Sequence, residues 1–353
     1  MKAGTLYLAS VGLLGLVFAV GSVFGQGAGQ RGPGGLGAGA PGGAGGRGGA
    51  APGGAPPAGG PPRGGAAPGP LPTKEVTITA IPGVIAADAK WKLAYTSEIG
   101  NNGDGIVAGL DGNLLIGQND ASQVIKLDKD DKATVLLKDT GSAGALALDG
   151  KGRLYGIQRD TDDRGILQLQ PERKFLANTF NGQPMKALGR LNDLIVDKNG
   201  GAYFTSGQAY YISPKGEVTQ ISTDLRTNGI VLSPDEKVLY ITNGQTVVAY
   251  DVQADGKASN RRDFCRLQAA GADGMAVDVA GRLYVTNGDG VNVFASDGKA
   301  LGIIPTPKTA ISVALAGADR KMLYFVAPGA TGSRAAEIYK IPILAEGLKN
   351  RGK

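Results

Sequence analysis

One pattern returns six times between residues 104 and 327 of the 353-residue chain, and it limits the fold more than any other feature. Each copy opens on a polar or small residue, runs through a short apolar stretch, turns, and enters a second stretch that in most copies carries an aromatic residue. The copies read DGIVAGLDGNLLIG from Asp104, GALALDGKGRLYGI from Gly144, NDLIVDKNGGAYFTS from Asn192, NGIVLSPDEKVLYITN from Asn228, DGMAVDVAGRLYVTN from Asp273 and ISVALAGADRKMLYFVA from Ile311. Their starts lie 40, 48, 36, 45 and 38 residues apart. Short β-branched runs joined by Gly, Asp and Asn turns read as hairpins, and a period of roughly 40–45 residues is that of one four-stranded propeller blade.

Further strands follow each pair, as in 209–217 (AYYISPKGE) and 290–298 (GVNVFASDG), and no stretch of the body has the period of a long amphipathic helix. The sequence therefore predicts an all-β, six-bladed β-propeller over residues 73–353, one domain despite its length. Asp149, Asp197 and Asp278 fall at the same turn, where an aspartate bonds its own backbone; they are assigned no chemistry. Closing the ring requires a strand from one end to complete the blade at the other, which removes an exposed sheet edge. Residues 74–85 (KEVTITAIPGVI) and 337–343 (EIYKIPI) are the expected partners.

The N-terminal 72 residues differ in kind. Residues 3–24 are apolar and uncharged behind Lys2. Residues 1–25 read as a signal peptide, with small residues ahead of a cut near Gln26; the alternative is an uncleaved anchor. No cysteine stands nearby to carry a lipid. Over residues 25–72, 21 glycines and 10 prolines fill 48 positions. Such a chain lacks the apolar mass to offset its ordering entropy, so 26–72 reads as a disordered linker. The body is expected to be exported, periplasmic or extracellular, and to meet a membrane only through the N-terminal segment if that is uncleaved.

Charge excludes one partner class. The formal charge is +6, but four of the 37 basic residues and none of the 31 acidic ones lie in residues 1–72, so the body carries 33 against 31. A nearly neutral body has no basic stripe to neutralise a phosphate backbone. No nucleic-acid partner is expected, and a monomer is.

Histidine is absent and Cys265 is the one cysteine. This excludes Ser-His-Asp catalysis, His-ligated zinc and every CxxC motif. Cys265 reads as a small buried hydrophobe. Site chemistry must then run on oxygen. In a propeller, the position opening each innermost strand lies at the mouth of the axial channel. Here those positions are Asp104, Gly144, Asn192, Asn228, Asp273 and Ile311. Four carboxylates or carboxamides from four blades thus converge on one axis, a geometry suited to a hard divalent cation with waters completing its shell. Ca2+ is favoured, with Mg2+, Mn2+ and oxygen-ligated Zn2+ as competitors. Taken singly, Asp-Gly and Asn-Gly are ordinary turn dipeptides.

The runs RLNDLIVD from Arg190, TNGIVLSPD from Thr227 and ADGMAVD from Ala272 resemble the regucalcin/gluconolactonase (SMP-30-like) family over most of 100–345. The resemblance implies one divalent metal in the channel. By it, Asn228 and Asp273 match two metal ligands, Asp104 stands where the family has a ligand glutamate, and Asn192 and Arg190 match the polar pair that contacts substrate. Asp104 is one methylene shorter than that glutamate. Ser206 stands where many relatives carry aspartate, and Glu98, a candidate substitute for the ligand, is out of register.

The reading these residues support is a metal-dependent lactonase acting on a sugar lactone or related cyclic ester, with Asp273 both ligand and catalytic proton acceptor. The alternative is a non-catalytic binding propeller whose metal is structural or absent. A strictosidine-synthase-like C–C bond former is weaker, because no amine-binding pocket is indicated.

Overall fold

The computed structural model describes residues 73–97, 105–159, 161–329 and 335–353, all within the unit Gly64–Lys353. The expected signal and linker lie outside the described residues. Among the described residues, six four-stranded antiparallel sheets follow one another along the chain, each built from consecutive strands except the last. The six-bladed propeller read from the repeat is the observed fold.

The innermost strands are Ile106–Ala108, Ala143–Leu148, Leu194–Val196, Ile230–Leu232, Met275–Val277 and Ser312–Ala316, and they are buried at every residue. Outermost strands such as Ala133–Lys138 and Val218–Ser222 are exposed or half-buried throughout. The difference comes from packing on two faces. Successive side chains of a strand point to opposite faces, and in a propeller each face meets a different neighbour. In the first blade, Ile106, Ala108, Leu114 and Ile116 pack against the sixth. Val107 and Leu115, between them in sequence, pack against the second. Comparable apolar clusters fill the other four junctions between neighbouring blades.

The longest repeat interval, between Gly144 and Asn192, contains an insertion. A small hairpin (Thr179–Phe180 with Gln183–Pro184) runs into the 3-10 turn Met185–Leu188. Met185 and Leu191 anchor it in the core between the second and third blades.

Asp149, Asp197 and Asp278 serve the turns as expected. Asp278 Oδ1 accepts the Ala280 and Arg282 backbone N–H groups at 3.0 and 2.9 Å, while Oδ2 accepts the Tyr284 hydroxyl at 2.9 Å and Arg282 Nε at 2.6 Å. Cys265 is buried in the core between the fourth and fifth blades. Burial pushes its thiol up to about 12, which leaves almost no reactive thiolate at neutral pH.

Ring closure differs from the expectation. The strand that completes the sixth blade is Lys92–Thr96, antiparallel to Ala336–Pro342 with Lys92 opposite Lys340 and Thr96 opposite Glu337. The 337–343 half of the expected pair is right, and 74–85 is replaced by Lys92–Thr96. The earlier segment folds instead into a strap with one short bridge, Ile81 to Ile85, because Pro82-Gly83 turns the chain and Gly83 takes φ 70°. Its Ile78, Ile81, Val84 and Ile85 fill the core between the fifth and sixth blades. Beside the closing strand, Asp131 of the first blade bonds Lys340 and, at 2.7 Å, Lys92, tying both strands of the closure to the next sheet. Burial works to raise the Asp131 carboxyl, but these two ammonium groups outweigh it and hold it below the ordinary aspartate range.

Two predictions follow from the closure. Deleting residues 74–85 removes four buried side chains worth about 1.5–3 kcal/mol each, so the melting temperature should fall sharply while the propeller still forms. Deleting 74–97 also strips the edge of Ala336–Pro342 and should give aggregated or unfolded protein; equal thermal unfolding of the two deletions by circular dichroism would contradict the assignment. Separately, Asp131→Asn should cost about 1–2 kcal/mol at neutral pH. A carboxylate whose pKa is depressed by folding stabilises the fold above its unfolded value, about 3.9, and loses that contribution as pH falls through its folded value. Chemical-denaturation curves of variant and wild type should therefore differ at pH 6–7 and converge in acid.

Candidate functional site

Backbone hydrogen bonds verify the register. The N–H of Asn192, Asp273 and Ile311 donates in each case to the second strand of its own blade, at Thr205 O (2.8 Å), Thr286 O (2.9 Å) and Val326 O (2.8 Å). Asn228 makes the equivalent bond to the Thr242 hydroxyl at 2.9 Å. These four positions are thus related by rotation about the axis.

The glycine after Asn228 and that after Asp273 are not turn glycines. Neither has positive φ. A Cβ on Gly229 would lie 2.1 Å from the Asp273 carbonyl oxygen, and one on Gly274 would lie 2.7 Å from Ser312 Cα. Close approach of adjacent inner strands at the axis excludes any side chain there. Buried threonines fix that approach. Thr205 Oγ1 donates to the Asn228 carbonyl of the next blade at 2.6 Å, and Thr286 Oγ1 to the Ile311 carbonyl of the next at 2.8 Å.

Between these strand starts lies a cavity of about 10 Å3 lined by Asn192, Asp193, Asn228, Asp273, Gly274 and Ser312. That volume suits about one water or one monatomic ion. Asn192, Asn228 and Asp273, three of the predicted site residues, line this one cavity. Asn192 Nδ2 donates to Asn228 Oδ1 at 2.7 Å, which fixes both carboxamides and leaves one lone pair of Asn228 Oδ1 for a ligand. Asp104 and Glu98 lie outside the described residues.

Arg190 is exposed, on the segment between the inserted 3-10 turn and Asn192. Ser206, 6% exposed, holds this segment: its hydroxyl lies 2.9 Å from the Leu188 carbonyl oxygen and 3.0 Å from that of Arg190. Ser206 therefore positions the loop carrying Arg190.

Four residues of the site were not singled out in the sequence. Ser312, one position after Ile311, contributes the sixth blade's polar group. Arg159 fills the space left by Gly144, where a Cβ would lie 2.7 Å from its Cζ, and its Nη2 bonds the Asn192 carbonyl. Asp193 lines the cavity beside Asn192, and its carboxylate bonds the ammonium of Lys353. Only Asp193 carried a signal, as the acid following Asn192 in the repeat. Arg159 and Lys353 reach the axis from 33 and 160 residues away in sequence.

The cavity offers two carboxylates, two carboxamides and a hydroxyl, all oxygen donors of the kind a hard cation takes. Among the described residues, no three Asp, Glu, Cys or His side chains cluster as a metal-ligating group. Asp273, Asn228 and water oxygens could nonetheless hold one such ion, so the donor set fits.

Comparison with known proteins bears on the fold and the family. The chain is 25% identical over 269 residues to a gluconolactonase of Zymomonas mobilis, covering 63% of this chain and 71% of the relative. It is 26% identical over 259 residues to lactonase drp35 of Staphylococcus haemolyticus, covering 65% and 74%. The solved structure of a gluconolactonase from Xanthomonas campestris superposes with a TM-score of 0.64 at 24% identity, over 78% of this chain and 98% of that one, and so shares the fold. Residues 103–328 match the SMP-30/Gluconolactonase/LRE-like region, and the chain belongs to that family.

Proposed function

We propose that the protein is an exported lactone hydrolase that uses one divalent cation, Ca2+ by preference, held on the propeller axis. The observation that carries this reading is the convergence of Asn192, Asn228 and Asp273 on one ion-sized cavity. Relatives named gluconolactonase and lactonase support a cyclic ester as the substrate class. Asp273 and Asn228 would hold the ion, joined by Asp104. When bound, the ion supplies Lewis acidity toward the ester carbonyl and its developing oxyanion.

The chain's own residues do the rest. The Asp273 carboxylate accepts a proton from the attacking water, since no histidine exists to do so. Asn192, fixed by its bond to Asn228, presents its amide to a substrate oxygen. Arg190 offers a guanidinium fork to hydroxyl or carboxylate groups of the substrate. Residues 1–25 would direct export, and 26–72 would space the propeller, a monomer, from the membrane or cell surface.

Asp273→Ala should abolish Ca2+ binding in calorimetry and lower kcat/KM on a sugar lactone panel by at least about a hundredfold. Chelator treatment of the wild type should do the same and be reversed by adding the metal. Undiminished hydrolysis in the variant or the chelated protein would sink the mechanism. A metal-raised melting temperature without hydrolysis of any lactone would favour the non-catalytic binding propeller. Arg190→Ala should raise KM more than it lowers kcat; the reverse split would remove Arg190 from substrate binding.

A further inference from the structure

The axial channel contains a cation of the protein's own. Residues 344–353 cross the face of the propeller opposite the openings of the inner strands and then turn inward. Backbone bonds pin this strap to the fifth, sixth and second blades: Val279 N to Glu346 O at 2.9 Å, Gly347 N to Arg320 O at 2.9 Å, and Gly352 N to Leu148 O at 3.0 Å. Arg351, 2% exposed, donates to the Leu232 and Ser233 carbonyls at 2.5 and 2.8 Å and pairs with Glu236 at 3.2 Å.

Beyond it, Lys353 is 8% exposed, and its ammonium bonds the Asp193 carboxylate and lies 3.4 Å from the Leu194 carbonyl oxygen. Asp193 is equally buried at 8%. Its oxygens also accept the Leu194 and Ile230 N–H groups, at 2.9 and 3.0 Å. The carboxylate is therefore fixed on three sides, and it lines the same cavity as Asp273 and Asn228.

We propose that Lys353 is a resident cation of the channel, which neutralises Asp193 from the far face and so weakens the Asp273–Asn228 site for a divalent ion. The inference rests on the axial ion site proposed above. Without the ammonium, a buried carboxylate would face that cavity uncompensated, adding a full negative charge beside the one on Asp273. Such a charge is costly unless paired, and a divalent cation in the cavity would offset it. Lys353 thus keeps Asp193 from adding a further negative charge to the site, a restraint on affinity and not a contribution to it.

The experiment is a calcium titration by calorimetry, with melting temperature measured in calcium and in chelator. It compares the wild type with Lys353→Met, Lys353→Arg, Asp193→Asn and the Asp193→Asn/Lys353→Met double variant. Lys353→Met should bind Ca2+ on the order of tenfold more tightly, be less stable in chelator, and gain more in melting temperature from calcium than the wild type does. Lys353→Arg should keep the wild-type affinity. Asp193→Asn, which leaves the ammonium unopposed, should bind more weakly, and the double variant should return toward the wild type.

If Lys353→Met folds only with calcium present, the proposal is supported directly. If it fails to fold under either condition, Asp193→Asn decides: unchanged affinity there overturns the proposal. Wild-type binding with no change in Lys353→Met makes the strap purely structural and leaves the lactonase reading standing. No calcium binding in any form overturns both, whereas binding only in Lys353→Met sinks the metal-dependent mechanism and upholds the resident cation.

Discussion

Each of the six blades packs apolar side chains on both faces, and that fact makes the closure of the ring the condition for everything else. A single blade would expose two apolar faces, so its stability depends on the blades on either side. Five of the six junctions follow from chain order, and the sixth must be made by strands far apart in sequence. Lys92–Thr96 makes it by completing the sheet of Ser312–Ala316, Met322–Pro328 and Ala336–Pro342. The strap of residues 74–85 and the Asp131 ion pairs then reinforce the two junctions flanking that blade. The reinforcement concentrates where the loop-closure entropy is greatest.

Closing the ring forces the six inner strands together at the axis, and the polar site is a consequence of that crowding. Where neighbouring strands meet, Gly229 and Gly274 leave no space for a side chain. In these two blades the side chains that enter the axis stand one residue earlier, at Asn228 and Asp273. The buried hydroxyls of Thr205 and Thr286 find acceptors in the Asn228 and Ile311 carbonyls of the neighbouring blades, as buried polar groups require. The geometry of the candidate ion site is therefore set by the packing of whole blades.

This explains what could be read from the sequence. The repeat was legible because strand alternation and turn residues are local signals, and the blades are built from local hairpins. Asn192, Asn228 and Asp273 were legible because rotational symmetry turns a shared register into a shared place. Ring closure was half legible. KEVTITAIPGVI alternates as a strand should, yet its Pro-Gly turn bends it into a strap, whereas KLAYT alternates weakly because it lies at the outside of its blade with little to bury. Arg159 and Lys353 carried no signal at all. One occupies space vacated by a glycine in its own blade, and the other arrives from the opposite face, so neither belongs to the repeat register.

The two kinds of residue also differ in how firmly they are held. Asn228 and Asp273 begin inner strands that are wedged between apolar cores on both sides, and moving either would disturb three blades. Arg190 rides on an exposed segment fastened through Ser206 and through Arg164, whose Nη1 donates to the Gly189 carbonyl at 2.8 Å, after an insertion that lengthens the repeat to 48 residues. Rigid elements suit the groups that must meet at one point, and loops suit those that vary with the ligand. The irregularity of the repeat and the exposure of its arginine therefore mark the same boundary. On the axis, position is dictated by the packing of whole blades, while on the inserted segment it is set by loop contacts such as those of Ser206.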